Sequence, residues 1–304
     1  MATLFRFIEQ CVARIGRMLY HTLQKCLPVC MRRYVVHAVK HRRLLRLRRP
    51  QTFNEKLSWR MVYDRREILK VTCDKKAMKV LAHERAGDLV RVPRTLWSGT
   101  DVRELEPIEL PERWVLKPNH RSGLVYIGEG QPRIDELRRI TKGWLEEVHW
   151  RRMGEWAYSH AEPALIVEEF IGEAGSVPVD YKFQVFDGQV RVVLVYLGRF
   201  EELRGYVMDR NFVRIEVQDA SERLRADEVI NEPPNFARMV EVAERIASGF
   251  DYLRVDLYDT GDDVWFGETT VYEANGGAKY RPASFDVELG SYWNLPGRDE
   301  VRPR

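Results

Sequence analysis

Two periods of apolar residues divide the chain. Near its start, Leu4, Phe5, Phe7, Ile8, Val12, Ile15, Leu19 and Leu23 recur at helical spacing among Arg6, Arg14, Arg17 and Lys25, which predicts a basic amphipathic helix. Pro28 is placed to end it, and residues 32–47 resume a basic helical stretch that Pro50 interrupts. Thr52 followed by Glu55 forms a capping box, opening a helix with Phe53, Leu57 and Met61 on its apolar face. Asp74 can cap a second helix carrying Ala77, Met78, Leu81 and Ala82, with Gly87 placed to stop it.

From Trp114 the period shortens. WVLKP predicts a strand ended by Pro118, and the loop NHRSG leads into the apolar run LVYI. A helix is predicted over 135–149, then the strand ALIVEEF and a loop rich in turn formers. YKFQVF and VRVVLVYL flank Asp187 and Gly188 and predict an antiparallel hairpin. Residues 235–248 form the best amphipathic helix, with Asn235 as its cap, Gly249 near its stop, and Phe236, Met239, Val240, Ala243 and Ile246 on one face. LRVDLYD, the turn TGDD and VWFGETT predict a second hairpin. Residues 281–304 show little periodicity and are expected to form an extended wrap with a frayed basic tail. Hairpins linked by a crossover helix describe an α+β sheet layer better than a doubly wound parallel sheet.

The 304 residues suffice for about two domains and need no disulfide scaffold. With 44% hydrophobic and 31% charged residues, and no apolar run of membrane-spanning length, the chain reads as a soluble globular protein. Its four cysteines have no zinc-finger partners and follow no signal peptide, which points to the reducing cytoplasm. The net charge of +3 conceals an asymmetry. Residues 1–50 hold twelve Arg or Lys against Glu9 alone, so the rest of the chain is acidic. Such a segment could contact an anionic membrane face or pack on the protein's own body. Nucleic acid is not expected, since no aromatic and basic stripe recurs later.

Several side chains could carry chemistry. Asp256 and Glu268 lie on neighbouring strands of the second hairpin, with Arg254 two residues before Asp256 and Thr270 two after Glu268. Two facing carboxylates suit Mg2+, and an arginine suits phosphate; a solvated sheet face is the competing reading. Lys117 ends a strand before the loop containing Ser122 and Gly123, which could hold phosphate or be an ordinary hairpin. The loop is neither a P-loop nor a dinucleotide fingerprint. Glu168 and Glu169 could border a nucleotide pocket or form a hydrated strand end. Lys182, on one face with Asp180, could reach phosphate or pair with an acid.

Taken in order, CDKK at 73–76, WVLKPNHRSG at 114–123, VEEFIG at 167–172, DYKFQVFDG at 180–188, LRVDLYD at 253–259 and FGETT at 266–270 resemble the TupA-like branch of the ATP-grasp superfamily. TFNEKLSWRMVYDR at 52–65 and ELGSYWNLP at 288–296 extend the resemblance to about residues 50–296. It implies an ATP-grasp fold with ATP and Mg2+ held between two α+β units. The implied organisation is a basic helical extension at 1–50, an N-terminal part of the body at 51–112, a lid subdomain at 113–171, and a catalytic subdomain with its tail at 172–304.

The resemblance also implies roles. Lys75 and Lys117 become nucleotide lysines, with Ser122 and Gly123 over the phosphates. Glu168, Glu169, Phe170 and Ile171 become the adenine hinge, and Glu173 reaches the ribose. Lys182 and Arg254 join Lys117 as catalytic cations, while Asp256 and Glu268 hold the metal. YEANGG at 272–277 departs from the pattern of many relatives, so Glu273 with Asn275 is an alternative metal register; with Lys279 these residues could instead line the acceptor side. The implied activity is a carboxylate–amine ligase forming an amide through an acyl phosphate. Its implied substrates are a uronic-acid-bearing surface polysaccharide or precursor and an amino acid or other amine, with residues 1–50 at the cytoplasmic face of the cell membrane. A sugar kinase or other phosphoryl transferase, and a noncatalytic ATP-binding interaction protein, are the alternatives.

Overall fold

Alternating apolar residues along the central strands, and capped amphipathic helices around them, set the architecture. The computed structural model describes residues 27–146, 148–172, 178–198, 203–219, 229–297 and 299–301. Helices α1 (Val29–His41), α2 (Phe53–Tyr63) and α3 (Lys75–Ala86) precede strands β1 (Thr95–Gly99), β2 (Arg113–Pro118) and β3 (Tyr126–Glu129). Short helices α4 (Ile134–Ile140) and α5 (Val148–Met153) lead to β4 (Leu165–Glu169). Next come β5 (Asp180–Phe186), β6 (Gln189–Leu197), β7 (Arg204–Asp209) and β8 (Gln218–Asp219). Helix α6 (Phe236–Ile246), strands β9 (Tyr252–Asp259), β10 (Val264–Thr270) and β11 (Tyr280–Arg281), and helix α7 (Ser284–Ser291) follow. The predicted helix before Pro28, Glu173 and the extreme C-terminal tail lie outside the described residues.

Every strand pairing within the sheets is antiparallel. A larger sheet runs β10-β9-β5-β6-β7, a smaller one runs β1-β4-β2-β3, and β11 pairs with β8. This is the expected α+β arrangement. Strand β1, on the N-terminal side of residue 113, joins the smaller sheet through β4. The hairpin of β5 and β6 turns at Asp187 and Gly188, both with positive φ (47° and 78°), the backbone handedness that matches strand twist.

The larger sheet is covered on both faces. Phe183, Val185, Val193, Val255 and Leu257 share a core with Met239, Ala243 and Ile246 of α6 and Met78 and Ala82 of α3. Phe186, Val192, Leu194 and Tyr252 pack with Phe53 and Leu57 of α2, Phe285 and Leu289 of α7, and Trp293. Each such fully buried side chain contributes roughly 1.5–3 kcal/mol. The caps of α2 and α3 behave as the sequence predicts. Thr52 Oγ1 accepts from Glu55 N (3.2 Å), Glu55 Oε2 accepts from Thr52 N (3.2 Å), and Asp74 Oδ1 accepts from the amides of Lys76 and Ala77.

Four expectations about elements are corrected. The helix predicted over 32–47 ends at His41, because Arg42 turns left-handed (φ 53°) and Leu45 and Leu47 then enter a core with Trp59. The helix predicted over 135–149 is two helices, separated where Gly143 takes a φ of 79°. The predicted wrap over 281–304 contains α7, whose Phe285 and Leu289, four residues apart, pack on α2. Asn235 precedes α6 without capping it through its side chain; its amide donates to Asp259 Oδ1 (2.9 Å) and the Gly261 carbonyl (2.8 Å), tying the helix to the β9–β10 turn.

Candidate active site

Strand alternation puts Arg254 and Asp256 on one face of β9, and the neighbouring strand sets Lys182 opposite Asp256 and Gln184 opposite Arg254. On the other side, β10 pairs residue for residue from Val264 opposite Asp259 to Phe266 opposite Leu257. A bulge at Gly267 then shifts the register, so that Glu268 opposes Asp256 and Thr270 opposes Arg254. Unbroken pairing would set Gly267 opposite Asp256 and turn Glu268 to the other face. The bulge position admits little but glycine, since a Cβ there would lie 2.9 Å from the Tyr258 ring and 3.0 Å from the Asp256 carbonyl oxygen.

These strands assemble a charged row. Arg254 Nε donates to Asp256 Oδ1 (2.6 Å), while Nη2 donates to Asp256 Oδ2 (2.7 Å) and Glu268 Oε1 (3.1 Å). Arg254 Nη1 donates to Glu273. Lys182 Nζ lies 2.8 Å from Asp180 Oδ2 and 2.5 Å from Asp256 Oδ2. The row therefore holds four carboxylates against two cations, an excess of negative charge that favours further cations beside it.

The smaller sheet supplies lysine. Lys117, near the end of β2, pairs with Glu168 on β4 (2.5 Å), and Lys79 of α3 also pairs with Glu168 and donates to Thr95 Oγ1 (2.9 Å). Glu168 is buried, so it is not part of a hydrated strand end. Glu169 turns the other way and accepts from Arg94 N (2.7 Å) and Nε (3.1 Å). Lys75 Nζ donates to the Arg121 carbonyl in the loop after β2 (2.5 Å). The loop is pinned at its base, where buried Asn119 donates to Asp74 Oδ2 (2.7 Å) and accepts from Lys76 N (3.0 Å).

Between the sheets lies a cleft of about 360 Å³ whose lining includes Lys75, Lys117, Ser122, Gly123, Asp256 and Glu268. Glu168, Glu169, Phe170 and Ile171 border it beside apolar Val115, Ile127 and Phe266. Apolar walls suit a planar base, lysines suit phosphates, and paired carboxylates suit a hard divalent cation. Among the described residues, no three or more Asp, Glu, His or Cys side chains gather as a complete metal cage. Two carboxylates fit Mg2+, which draws its remaining oxygens from phosphate and water. The residues present thus fit Mg2+ and ATP.

Electrostatics separate the two facing acids. Burial pushes Asp256 upward; Arg254 and Lys182 oppose the shift, and Asp180 and Glu268 add to it. Burial also opposes the charge of Glu268, yet Arg254, Lys182, Lys75 and Lys117 overcome it and hold Glu268 at about 2. Burial pushes Lys75 down to about 8, with Glu268 opposing and Lys117 reinforcing the shift.

The residues of the alternative register and acceptor side are held outside the cleft lining. Glu273 meets Arg254, Asn275 Oδ1 accepts from Arg33 (2.6 Å), Asn275 Nδ2 donates to Glu155 Oε1 (3.0 Å), and Lys279 is exposed; none of the three lines the cleft. Lys182 is paired with Asp256 and is not among the residues that line the cleft. Lys79 escaped the reading of the sequence. Its signal was its place one helical turn after Lys75, which sets both lysines on one side of α3.

Two antiparallel sheets closing on a cleft with lysines on one side and carboxylates on the other define an ATP-grasp fold. The TupA-like ATPgrasp family model matches residues 55–294, and the chain belongs to that family. Solved structures with similar folds include the D-alanine–D-alanine ligase of Bacillus anthracis complexed with ATP, at 17% identity and a TM-score of 0.40, covering 67% of this chain and 56% of that one. The D-alanine–D-alanine ligase of Helicobacter pylori is 14% identical with a TM-score of 0.44, covering 77% and 64%. The L-amino acid ligase of Bacillus licheniformis is 14% identical with a TM-score of 0.42, covering 76% and 51%. The chain spans less than two thirds of the length of each of these three. No curated protein matches the sequence.

Proposed function

We propose that the protein is an ATP- and Mg2+-dependent carboxylate–amine ligase. The observation that carries this reading is the meeting, in one cleft, of Lys75 and Lys117 with Asp256 and Glu268, residues drawn from α3, β2, β9 and β10. ATP with Mg2+, when bound, would supply the phosphoryl group that turns a carboxylate into an acyl phosphate with release of ADP, and an amine would then displace inorganic phosphate to leave an amide.

Asp256 and Glu268 would hold the metal, and the depressed Glu268 keeps its negative charge through the neutral range. Lys75 and Lys117 would face phosphate oxygens, with Ser122 and Gly123 over them. Phe170 and Ile171 would border the base, with Glu168 orienting Lys117 and Lys79 from behind. Arg254 and Lys182 hold Asp256 in place; Arg254, which also reaches Glu268, would sit where charge accumulates on the transferred group. The Glu268 register is favoured over Glu273 because the bulge aims Glu268 at Asp256 and Glu268 lines the cleft, which Glu273 does not.

Membership of the TupA-like family supports a uronic acid of a surface polysaccharide or its precursor as the carboxylate, an amino acid or other amine as its partner, and work inside the cell. Incubation of the full chain with candidate uronates, amines and labelled ATP should release ADP only when both substrates are present and yield an amide by mass analysis. A phosphorylated sugar without amide would reassign the protein as a phosphoryl transferase, and nucleotide binding without turnover would leave an interaction protein.

A further inference from the structure

Helix α1 lies before the span that the family model matches, and its two sides differ. Its inner side is fixed to the body. Arg33, 1% exposed, donates to Asn275 Oδ1 (2.6 Å), the Asn275 carbonyl (2.8 Å) and Ser58 Oγ (3.0 Å), and Val36 and His37 are buried beside it. The direction of the outer side is therefore set. There Met31, Tyr34 and Val39 are 57%, 42% and 61% exposed, and Leu44, just past the left-handed turn at Arg42, is 83% exposed. Helical spacing puts Met31, Tyr34, Val35, Ala38 and Val39 in one stripe.

The charge along this segment has one sign. Residues 27–50 contain eight Arg or Lys and no Asp or Glu, and Arg42, Arg43, Arg48 and Arg49 are exposed. Arg46 is also exposed but pairs with Glu55 (3.0 Å). A two-fold contact with a second copy would bring these like charges together. A nucleic acid would satisfy the arginines but leave Val39 and Leu44 with nothing to enter. The remaining match is a partner whose anionic surface overlies an apolar layer.

We propose that the outer face of α1, continued by Leu44 and the arginines after it, docks on the surface of an anionic lipid bilayer. The exposed apolar side chains enter the boundary between headgroups and acyl chains, and the arginines meet the lipid phosphates. Among the described residues no helix is long and apolar enough to cross a membrane, so the contact is peripheral. It rests on no part of the catalytic reading.

Sedimentation of the full chain with phosphatidylcholine vesicles, with and without phosphatidylglycerol, tests this. Binding is expected only with phosphatidylglycerol and should weaken with salt. A protein carrying both Val39→Asp and Leu44→Asp should bind about tenfold more weakly or worse, as should one carrying both Arg42→Glu and Arg43→Glu. Both variants change exposed positions, and unchanged thermal unfolding and nucleotide affinity would show that body and cleft are intact. Absence of binding to the anionic vesicles, or undiminished binding by the Val39→Asp/Leu44→Asp protein, would overturn the proposal. So would a dimer of the unaltered chain that this variant dissolves, which would give the face to a second copy.

Discussion

Two networks of buried arginine and carboxylate lie in the body of this protein, and they do different work. In one, Arg60 donates to Asp251 Oδ1 (2.6 Å) and to the Tyr252 carbonyl (3.0 Å), and Arg66 joins Asp64 (2.6 Å) and Asp251 (2.7 Å). Trp293 closes it, donating to Asp251 Oδ2 (2.7 Å) with its ring 4.4 Å from the Arg60 guanidinium. Two cations meet two acids, and Arg60 and Asp64 are wholly buried. In the other, Arg254 and Lys182 face Asp180, Asp256, Glu268 and Glu273, and Glu268 keeps a third of its side chain exposed. Burial of charge is thus no mark of a site. The balanced network fastens α2 to the chain around Asp251 and Trp293, whereas the unbalanced one borders a cleft and leaves room for a cation.

The contrast is sharpest in paired substitutions. Asp251→Ala leaves buried Arg60 and partly buried Arg66 to share Asp64 alone and should cost about 3 kcal/mol of stability, read by chemical denaturation. Asp256→Asn relieves an excess of carboxylate and should leave the fold near its original stability while lowering ATP turnover about a hundredfold or more. Equal loss of stability in the two proteins would erase the distinction between them.

A smaller effect is expected across the cleft. Lys117→Met removes one phosphate-facing charge but leaves Glu168 paired with Lys79, so nucleotide affinity should fall about tenfold with the fold retained. Unchanged affinity by titration calorimetry would remove Lys117 from the nucleotide site.

The last probe is Glu155, which accepts from the Asn275 amide. Burial holds Glu155 at about 7 although the Asn275 amide and Arg33 pull it down. The folded protein therefore keeps a proton that the unfolded chain has lost, and stability should fall as pH rises from the ordinary carboxylate value of 4.5 to about 7, then level off. Glu155→Gln keeps the acceptor for Asn275 and removes that dependence. It should be stabilising near pH 8 and close to neutral near pH 4, as measured by denaturation at both values. A slope that survives the substitution would place the titrating group elsewhere.

Much of this fold is local. The Thr52 and Glu55 box, the Asp74 cap and the Asp187–Gly188 turn depend on residues within a few positions of one another, and each is formed. Alternation likewise put Arg254 beside Asp256 and Asp180 beside Lys182 on single faces. Glu268 is the instructive case. Counting back from the TGDD turn in regular pairing turns it away from Asp256, and only the bulge at Gly267 brings the two together. The pairing of Lys79 with Glu168 spans 89 positions and the bond from Arg33 to Asn275 spans 242, distances at which neither period nor spacing carries a signal.

By itself, then, the order of residues determined the capped starts of α2 and α3, the two hairpins and the alternation within β5 and β9, because these depend on backbone preference and nearest neighbours. Which arginines are sealed under Trp293, which carboxylates look into the cleft, and which side of α1 is left uncovered were decided only by the tertiary structure, because burial and register are sums over contacts between distant parts of the chain.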